Sequence, residues 1–265
     1  MNILYIGDIM GQPGMGVVER VLPDLIRDRA IDIVIAQAEN VTDGKGMSVA
    51  DMDKLSSLGV NFFTGGNHTP KLTELYSRLE DESQPVIGPA NIASCPGAGY
   101  KYLDTQAGKI LVVSLMGEKV GQPIEMSNPL VCIDDILRSQ ANVDKEAVVV
   151  NFHGDYSSEK RIIGYYLDGR VSMVVGDHWH VPTADAMILP NGTAHVTDVG
   201  MCGSLNSSLG VTFDSIIPRW RDGIQTANEL EMHDTQLQFN AVLMTKSPGV
   251  IKSDSIERIQ VITPV

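Results

Sequence analysis

Through the first 80 or so residues, short apolar runs alternate with stretches of helical periodicity. Ile3 to Ile6 is apolar and ends in Gly7-Asp8, which predicts a buried strand with Asp8 at its carboxyl end. Gly11-Gln-Pro-Gly14 predicts a loop. Val17, Val18, Val21, Leu22, Leu25 and Ile26 then recur at helical spacing, with Asp24, Arg27 and Asp28 on the other side. Ile31 to Ala36 predicts a second strand, running into Gln37-Ala38-Glu39-Asn40 and a glycine-containing loop to Gly46. Ser48-Val-Ala-Asp51 has the form of a capping box and predicts a helix to about Leu58. Val60 to Thr64 predicts a third strand, ending in Gly65-Gly66-Asn67-His68. Thr69 as N-cap and Pro70 at the first helical position predict a helix to about Leu79.

Strand, helix, strand, helix, strand, helix implies right-handed crossovers and a parallel sheet. Functional residues on such a sheet gather outside the carboxyl ends of its strands. Residues 84–108, rich in Pro, Gly, Ala and Ser, predict an excursion, a small cap-like subdomain of about residues 70–108 within one domain spanning 1–265. Ile110 to Leu115 predicts a strand, Glu118 to Pro129 a loop, and Leu130 to Gln140 a helix begun near Ser127. Ala147 to Val150 predicts a strand into Asn151-Phe-His153-Gly-Asp155, and Ser157 to Tyr166 a helix. Val171 to Val175 predicts a buried strand opening into Gly176-Asp-His-Trp-His180. Past Asp185, the segments 186–189, 194–197, 237–245 and 256–262 read as antiparallel strands, with a turn at Pro190-Asn-Gly192.

Polar side chains collect at these strand exits: Asp8, Glu39, Asn40, Asn67, His68, His153, His178 and His180. In an extended segment, positions i and i+2 share a face, so His178 and His180 would reach toward one locus. Carboxylates, amides and neutral imidazoles together suit one or two borderline metals such as Fe, Mn or Zn. Two ions about 3.5–4 Å apart would clamp the attacking and leaving oxygens of a displacement at phosphorus. Neither a GxSxG elbow nor a GxxxxGK[ST] phosphate loop occurs in the chain.

Composition narrows the partners. A net charge of −13 argues against a broad nucleic-acid surface, which needs Lys and Arg. It leaves room for a small phosphorylated substrate, because bound cations invert the local field. Cys95, Cys132 and Cys202 are odd in number and widely spaced, which points to a reducing compartment and to core roles for all three. The start reads as a first strand and not a signal peptide, and no apolar run reaches membrane-spanning length. A cytoplasmic protein is expected. Asp155, Asp177 and Asp198 are candidates for orienting the histidines, with turn or capping roles as the plainer alternative. Lys45 and Lys160 could touch a phosphate or be solvated, and His195 and His233 read as structural or surface residues.

Gly7-Asp8, Gly66-Asn67-His68, Phe152-His153-Gly154 and Gly176-Asp-His178-Trp-His180 together resemble the ordered motif set of calcineurin-like metallophosphoesterases. Ala38-Glu39-Asn40 with Gly44-Lys-Gly46, His153 to Lys160, Val181-Pro-Thr-Ala-Asp185 and Thr197-Asp-Val-Gly-Met201 resemble its YmdB-like branch, over nearly the whole chain. The resemblance implies a four-layered α/β/β/α sandwich and a dinuclear site with phosphodiesterase activity through a metal-bridging hydroxide. It implies one ion on Asp8, Glu39, Asn40 and His180, and a second on Glu39, Asn67, His153 and His178, both divalent or trivalent transition metals (Fe or Mn first, Zn as an alternative). His68 would face the phosphate as transition-state stabiliser or leaving-group acid. Substrates would be small phosphodiesters, 2′,3′-cyclic nucleotides among them, and homo-oligomers are common. A regulatory metal- and nucleotide-binding protein with residual catalysis, or a phosphomonoesterase or 5′-nucleotidase, would need the same ligands. Two departures from the wider superfamily are shared with the branch: Ile9-Met10 follows Asp8 where Asp-x-His is usual, and Glu39 stands where the bridge is usually Asp. Asp177, Trp179 and the Ser-Leu-Asn-Ser-Ser stretch after Gly203 depart from the branch itself.

Overall fold

A computed structural model describes residues 1–120 and 125–265. The expected loop at Glu118 to Pro129 includes residues 121–124, which lie outside the described residues. In chain order the strands and helices are β1 (Asn2–Ile6), β2 (Asp8–Ile9), α1 (Gly11–Asp28), β3 (Ile33–Gln37), α2 (Val49–Ser57), β4 (Phe62–Thr64) and α3 (Tyr76–Glu80). Then come β5 (Tyr100–Thr105), β6 (Gly108–Met116), α4 (Pro129–Ser139), β7 (Ala147–His153), α5 (Ser157–Tyr166) and β8 (Met173–Asp177). The chain closes with β9 (Met187–Ile188), β10 (Ala194–Val196), β11 (Met201–Ser204), α6 (Phe213–Asp222), β12 (Gln236–Thr245) and β13 (Ser255–Pro264).

Two sheets form. The first runs β2-β11-β12-β1-β3-β4, with β13 on the other edge of β12. The second runs β5-β6-β7-β8-β10-β9. Strands β1, β3 and β4 are mutually parallel, as are β6, β7, β8 and β10. Strand alternation explains the layering. Leu4 and Ile6 of β1 pack on Val17, Val18 and Leu22 of α1, while Ile3 and Tyr5 face the second sheet. In the second sheet, Val112 and Val149 face inward, and Leu111 and Val150 meet Ile133 of α4 and Ile163 of α5. Helix, sheet, sheet and helix are thus stacked around three apolar seams, the expected four-layered α/β/β/α sandwich. Each buried aliphatic side chain in these seams contributes about 1.5–3 kcal/mol of transfer free energy.

Several local expectations change. Gly11 to Gly14 is the first turn of α1 and not a loop. Pro13 is tolerated there because the first-turn N–H groups have no intrahelical partner to lose. The single helix expected from Thr69 to Leu79 is two 3-10 turns, Thr69–Lys71 and Thr73–Leu75, followed by the five-residue α3. Leu72 breaks it with an extended backbone, placing its side chain in the space that a Cβ on Gly46 would occupy. Thr69 does not cap: its hydroxyl is buried without a hydrogen-bond partner, and His68 holds the N-cap position. Ser48 does cap α2, accepting from Asp51 N at 3.0 Å, but the Asp51 carboxylate accepts from the Thr42 hydroxyl and leaves the box open. Asn128, and not Ser127, caps α4. The 194–197 strand pairs parallel with β8, because a crossover returns it to that edge, and only its β9 neighbour is antiparallel. Strands β12 and β13 pair antiparallel over ten residues, as their alternation predicts. The stretch 70–108 gives Leu75, Leu79 and Val86 to the first apolar seam and β5 to the edge of the second sheet.

Candidate metal centre

The carboxyl ends of the parallel strands of both sheets meet at one pole, where the seam between the sheets turns polar. The turn follows the period of two. After inward Ile3 comes Tyr5; after Ile33 and Ile35, Gln37; after Phe62, Thr64. After Ala147 and Val149 come Asn151 and His153; after Met173 and Val175, Asp177. All of these polar side chains are buried. Asp177 is their hub. It accepts from His153 Nδ1 at 2.7 Å, Tyr5 OH at 3.2 Å, Gln37 Nε2 at 3.1 Å and Asn151 Nδ2. Burial, then the Asp177 charge, raise the Tyr5 phenol well above its ordinary range, so it remains a donor.

With Nδ1 of His153 committed to Asp177, Nε2 faces outward. It lies 2.8 Å from Asn67 Oδ1 and 3.1 Å from Glu39 Oε1. The Gly66 backbone passes so close that a Cβ there would meet the His153 ring at 2.4 Å. Glu39 is buried, and its Oε2 accepts from His68 N at 2.7 Å. Its Oε1, fully buried, accepts no hydrogen bond among the described residues, although His153 Nε2 is close by. Burial alone would push this carboxyl up, but the charge of the adjacent His153, with His68 behind, holds it down at about 2. Burial likewise opposes a charged His153, yet Glu39 and Asp177 raise its imidazole well above the ordinary range.

A second group forms around Asp8. Asn40 Nδ2 donates to Asp8 Oδ1 at 2.9 Å and lies 3.4 Å from His180 Nε2, which is 3.7 Å from Asp8 Oδ2. Asn40 Oδ1 takes the Nδ1 hydrogen of His68 at 2.7 Å. Because an amide oxygen can only accept, that proton sits on Nδ1 and leaves His68 Nε2 as the ring's other polar atom. Burial lowers the His68 pKa, with Glu39 working against it. An amide nitrogen offers no lone pair to a metal, so ligation by Asn40 alongside Asp8 and His180 calls for a half-turn of its side-chain amide.

The two histidines of Gly176-Asp-His-Trp-His180 are not extended: His178 has φ +97° and His180 φ +62°. The expectation that alternation would aim both at one locus therefore fails. The ring of His178 packs edge-on against His153 at 4.6 Å between centroids, whereas His180 lies with Asp8 and Asn40. Such backbone costs about 1–3 kcal/mol per residue, offset here by bonds around the turn. His178 N donates to Asp8 Oδ2 at 3.3 Å, Trp179 N to Asp198 Oδ2 at 2.9 Å, and His180 Nδ1 to Leu209 O at 3.1 Å. Asp198 also binds Lys160 Nζ at 2.6 Å, and that ammonium lies 4.0 Å from the Trp179 ring centroid. Lys160 is thus wholly buried, neither solvated nor at the cleft, and Asp198 braces the histidine turn. Asp155 contributes through its backbone, accepting from Trp179 Nε1 at 2.8 Å. Burial, then His153, lower His178 to about 2, so it is a neutral imidazole throughout the working range.

The donor set suits cations. Ligand-type atoms of Asp8, His153 and Asp177 lie within 4.8 Å of one another, and the orphaned Glu39 Oε1 sits where the two groups meet. Burial, with Asp177 next, raises the Asp8 carboxyl well above its ordinary range, the mark of crowded buried acids that a cation would relieve. Tyr5, Gln37 and Asn151 were missed by the sequence argument, which left Asp177 open between orienting the histidines and a turn or capping role. The inward period of two through each strand carries the signal for all four. The cysteines lie elsewhere and are free, and His195 is buried with Nδ1 donating to Val174 O at 3.0 Å.

A cleft of about 360 Å³ opens over Glu39, Asn40, His68, His178 and His180, with Gly44-Lys45 on one side and residues 208–228 on the other. Sheet pairing and this site together define the calcineurin-like phosphoesterase architecture. The crystal structure of the calcineurin-like phosphoesterase YfkN from Bacillus subtilis matches with a TM-score of 0.56 at 9% identity, covering 98% of this chain and 90% of that one, a likeness of fold alone. A crystal structure described as a novel phosphatase from Mycoplasma pneumoniae matches with a TM-score of 0.90 at 28% identity, covering 99% and 93%. A 2′,3′-cyclic-nucleotide 2′-phosphodiesterase of Bacillus subtilis (strain 168) is 33% identical over 260 residues, 98% of this chain and 96% of that protein. The family profile described as YmdB-like protein matches residues 4–259, and the chain belongs to the YmdB-like family. Among the described residues, no helix is long and apolar enough to cross a membrane.

Proposed function

We propose that this protein is a metal-dependent phosphodiesterase that opens 2′,3′-cyclic nucleotides and cleaves related small phosphodiesters, working on two transition-metal ions, Fe or Mn first and Zn as an alternative. The observation that carries the reading is the buried, unpartnered Oε1 of Glu39 between the two ligand groups. In this reading Asp8, Glu39, Asn40 and His180 hold one ion, and Glu39, Asn67, His153 and His178 the other. When bound, the ions would offset phosphoryl charge and acidify a water near neutral pH.

The chain's own residues do the rest. Asp177 holds one His153 proton on Nδ1, so that Nε2, which faces Glu39 and Asn67, is the ring atom that would give up its proton to an ion. His68 lines the cleft, and an Asn40 turned to ligate through Oδ1 would face Nδ1 with its NH₂ group and place the ring proton on Nε2. An anionic phosphate beside His68 favours its protonation, which the burial-lowered pKa otherwise resists. Water attacks phosphorus and gives up a proton to solvent, one P–O ester bond breaks, the Nε2 proton passes to the leaving sugar oxygen, and His68 regains a proton from solvent. A cytoplasmic setting is consistent with Cys95, Cys132 and Cys202 all being free.

His68→Ala should retain metal and lose turnover by roughly 10²–10⁴-fold, the usual worth of a general acid. Undiminished hydrolysis of 2′,3′-cyclic nucleotides by this variant would remove His68 from the mechanism. A well-folded protein that takes up neither Mn nor Fe, by elemental analysis, would sink the enzyme reading.

A further inference from the structure

The cleft wall opposite the candidate ligands is built by the segment 208–230, and its chemistry is not used by the hydrolytic step. Helix α6 begins at an N-cap, Thr212, whose hydroxyl accepts from Ser215 N, and ends at Gly223 in the left-handed conformation. Ile216, Val211 and Leu230 pack with Met10 and Met201, two residues beyond Asp8 and at the start of β11. Gly210, at φ +92°, lets Met10 approach: a Cβ there would sit 2.3 Å from Met10 Cγ. The helix is therefore mounted on the floor of the metal centre.

On that mount, Trp220 lines the cleft together with Arg219, yet its side chain is 84% exposed. A tryptophan so exposed leaves a large apolar ring surface in water, available for stacking. The Arg219 guanidinium is anchored beside it, Nη2 donating to Asn228 Oδ1 at 3.0 Å and to the Thr226 backbone. Its Nε hydrogen is buried and meets no acceptor among the described residues. A flat indole next to a fixed cation, facing an anion-binding centre across one cleft, matches a nucleotide: base on the ring, phosphate at the ions.

We infer that Trp220 is the base-recognition platform of this site and sets its preference for nucleotides over base-free phosphodiesters. The inference rests on the proposed phosphodiesterase reading and adds a specificity-determining residue to it. Stacking is tolerant of base identity, because every base has a π-face, so purine and pyrimidine nucleotides are both accepted, purines with lower KM. Phe213 and Ile217 continue the exposed ridge along α6 at helical spacing, and Ile224 is exposed just past its end, so self-association through this ridge is the competing use.

The test compares 2′,3′-cyclic AMP with ribose 2,3-cyclic phosphate, which lacks a base, on the metal-loaded protein. Trp220→Ala should raise KM for the nucleotide about ten-fold, with a smaller effect on kcat, and collapse the kcat/KM ratio between the two substrates about ten-fold, the lower part of the usual worth of one stacked base. Trp220→Phe should restore most of the ratio, and Trp220→Leu, apolar but without a π-face, should not. Equal losses on both substrates, an unchanged ratio, or rescue by Leu would overturn the inference. So would a ratio that survives while light scattering shows the Ala variant falling to a smaller assembly, which would make the ridge an interface. Wild-type protein that holds metal and hydrolyses neither substrate would refute the site reading itself, an outcome distinct from all of these.

Discussion

Asp177→Asn isolates the contribution of the buried carboxylate behind His153. Oδ2 of Asp177 accepts from Tyr5 OH, Gln37 Nε2 and Asn151 Nδ2, while Oδ1 takes the Nδ1 hydrogen of His153. An asparagine has one acceptor oxygen to offer. Three donors on one side hold that oxygen there and direct the new NH₂ at His153 Nδ1. Nδ1 must then become an acceptor, and the imidazole proton moves to Nε2, the atom facing Glu39 and Asn67. A metal binding at Nε2 then forces the ring proton back to Nδ1 against that NH₂ group and loses the carboxylate behind the ring. Replacing such partners of a ligating histidine typically costs 10–100-fold in metal affinity, about 1.4–2.7 kcal/mol. The assay is competition for Mn(II) against a chromogenic chelator, with wild type and variant at one pH. Near-ultraviolet circular dichroism of both metal-free proteins separates a weakened site from an unfolded one. A folded variant binding Mn(II) within about three-fold of wild type would refute the tautomer argument.

Other consequences follow from the same geometry. Lys160→Met leaves the Asp198 carboxylate buried with only the Trp179 and Gly200 N–H groups, and should cost about 3–5 kcal/mol in urea unfolding; a loss no larger than the roughly 1 kcal/mol of an exposed pair would contradict a structural role for it. In metal-free protein, the raised folded pKa of His153 stabilises fully below the ordinary imidazole value of about 6.5, and that stabilisation is lost as pH rises through the higher folded value. Asp8, also raised, acts in the same direction at lower pH. His68, His178, His180 and His195, all lowered, add stability as pH rises through about 6.5, so thermal midpoints in chelator should fall only above about pH 7.5, and a flat or rising profile there would show that the His153 cluster is not charged as described. Metal uptake at neutral pH should release protons, visible in calorimetry as a dependence of heat on buffer ionisation enthalpy.

Strand-exit positions of Asp8, Glu39, Asn40, Asn67, His68 and His153 were legible in the chain, because an apolar run followed by a polar residue marks where a buried strand leaves the core. The alternation that buries Val149 and Val175 also aims His153 and Asp177 inward, and this local rule needs no knowledge of neighbours. Layer order did not follow from these patterns, which predicted a parallel sheet with helical crossovers; the four-layered sandwich was implied by the family resemblance. Tertiary structure decided the rest, including a split of His178 from His180 that alternation missed and only the resemblance implied. The split of His178 from His180 arises from positive backbone angles that no sequence period encodes, held by Asp8, Asp198 and Leu209, the last two 18–31 residues away in the chain. Lys160 sits opposite Asp198 because α5 docks beside β8, so a residue that reads as solvated becomes a buried strut. The parallel pairing of β10 depends on which sheet edge was left open. Short-range periodicity determines which face of an element is buried, whereas partners distant in sequence determine the bends, tautomers and charge pairs that make those faces into a site.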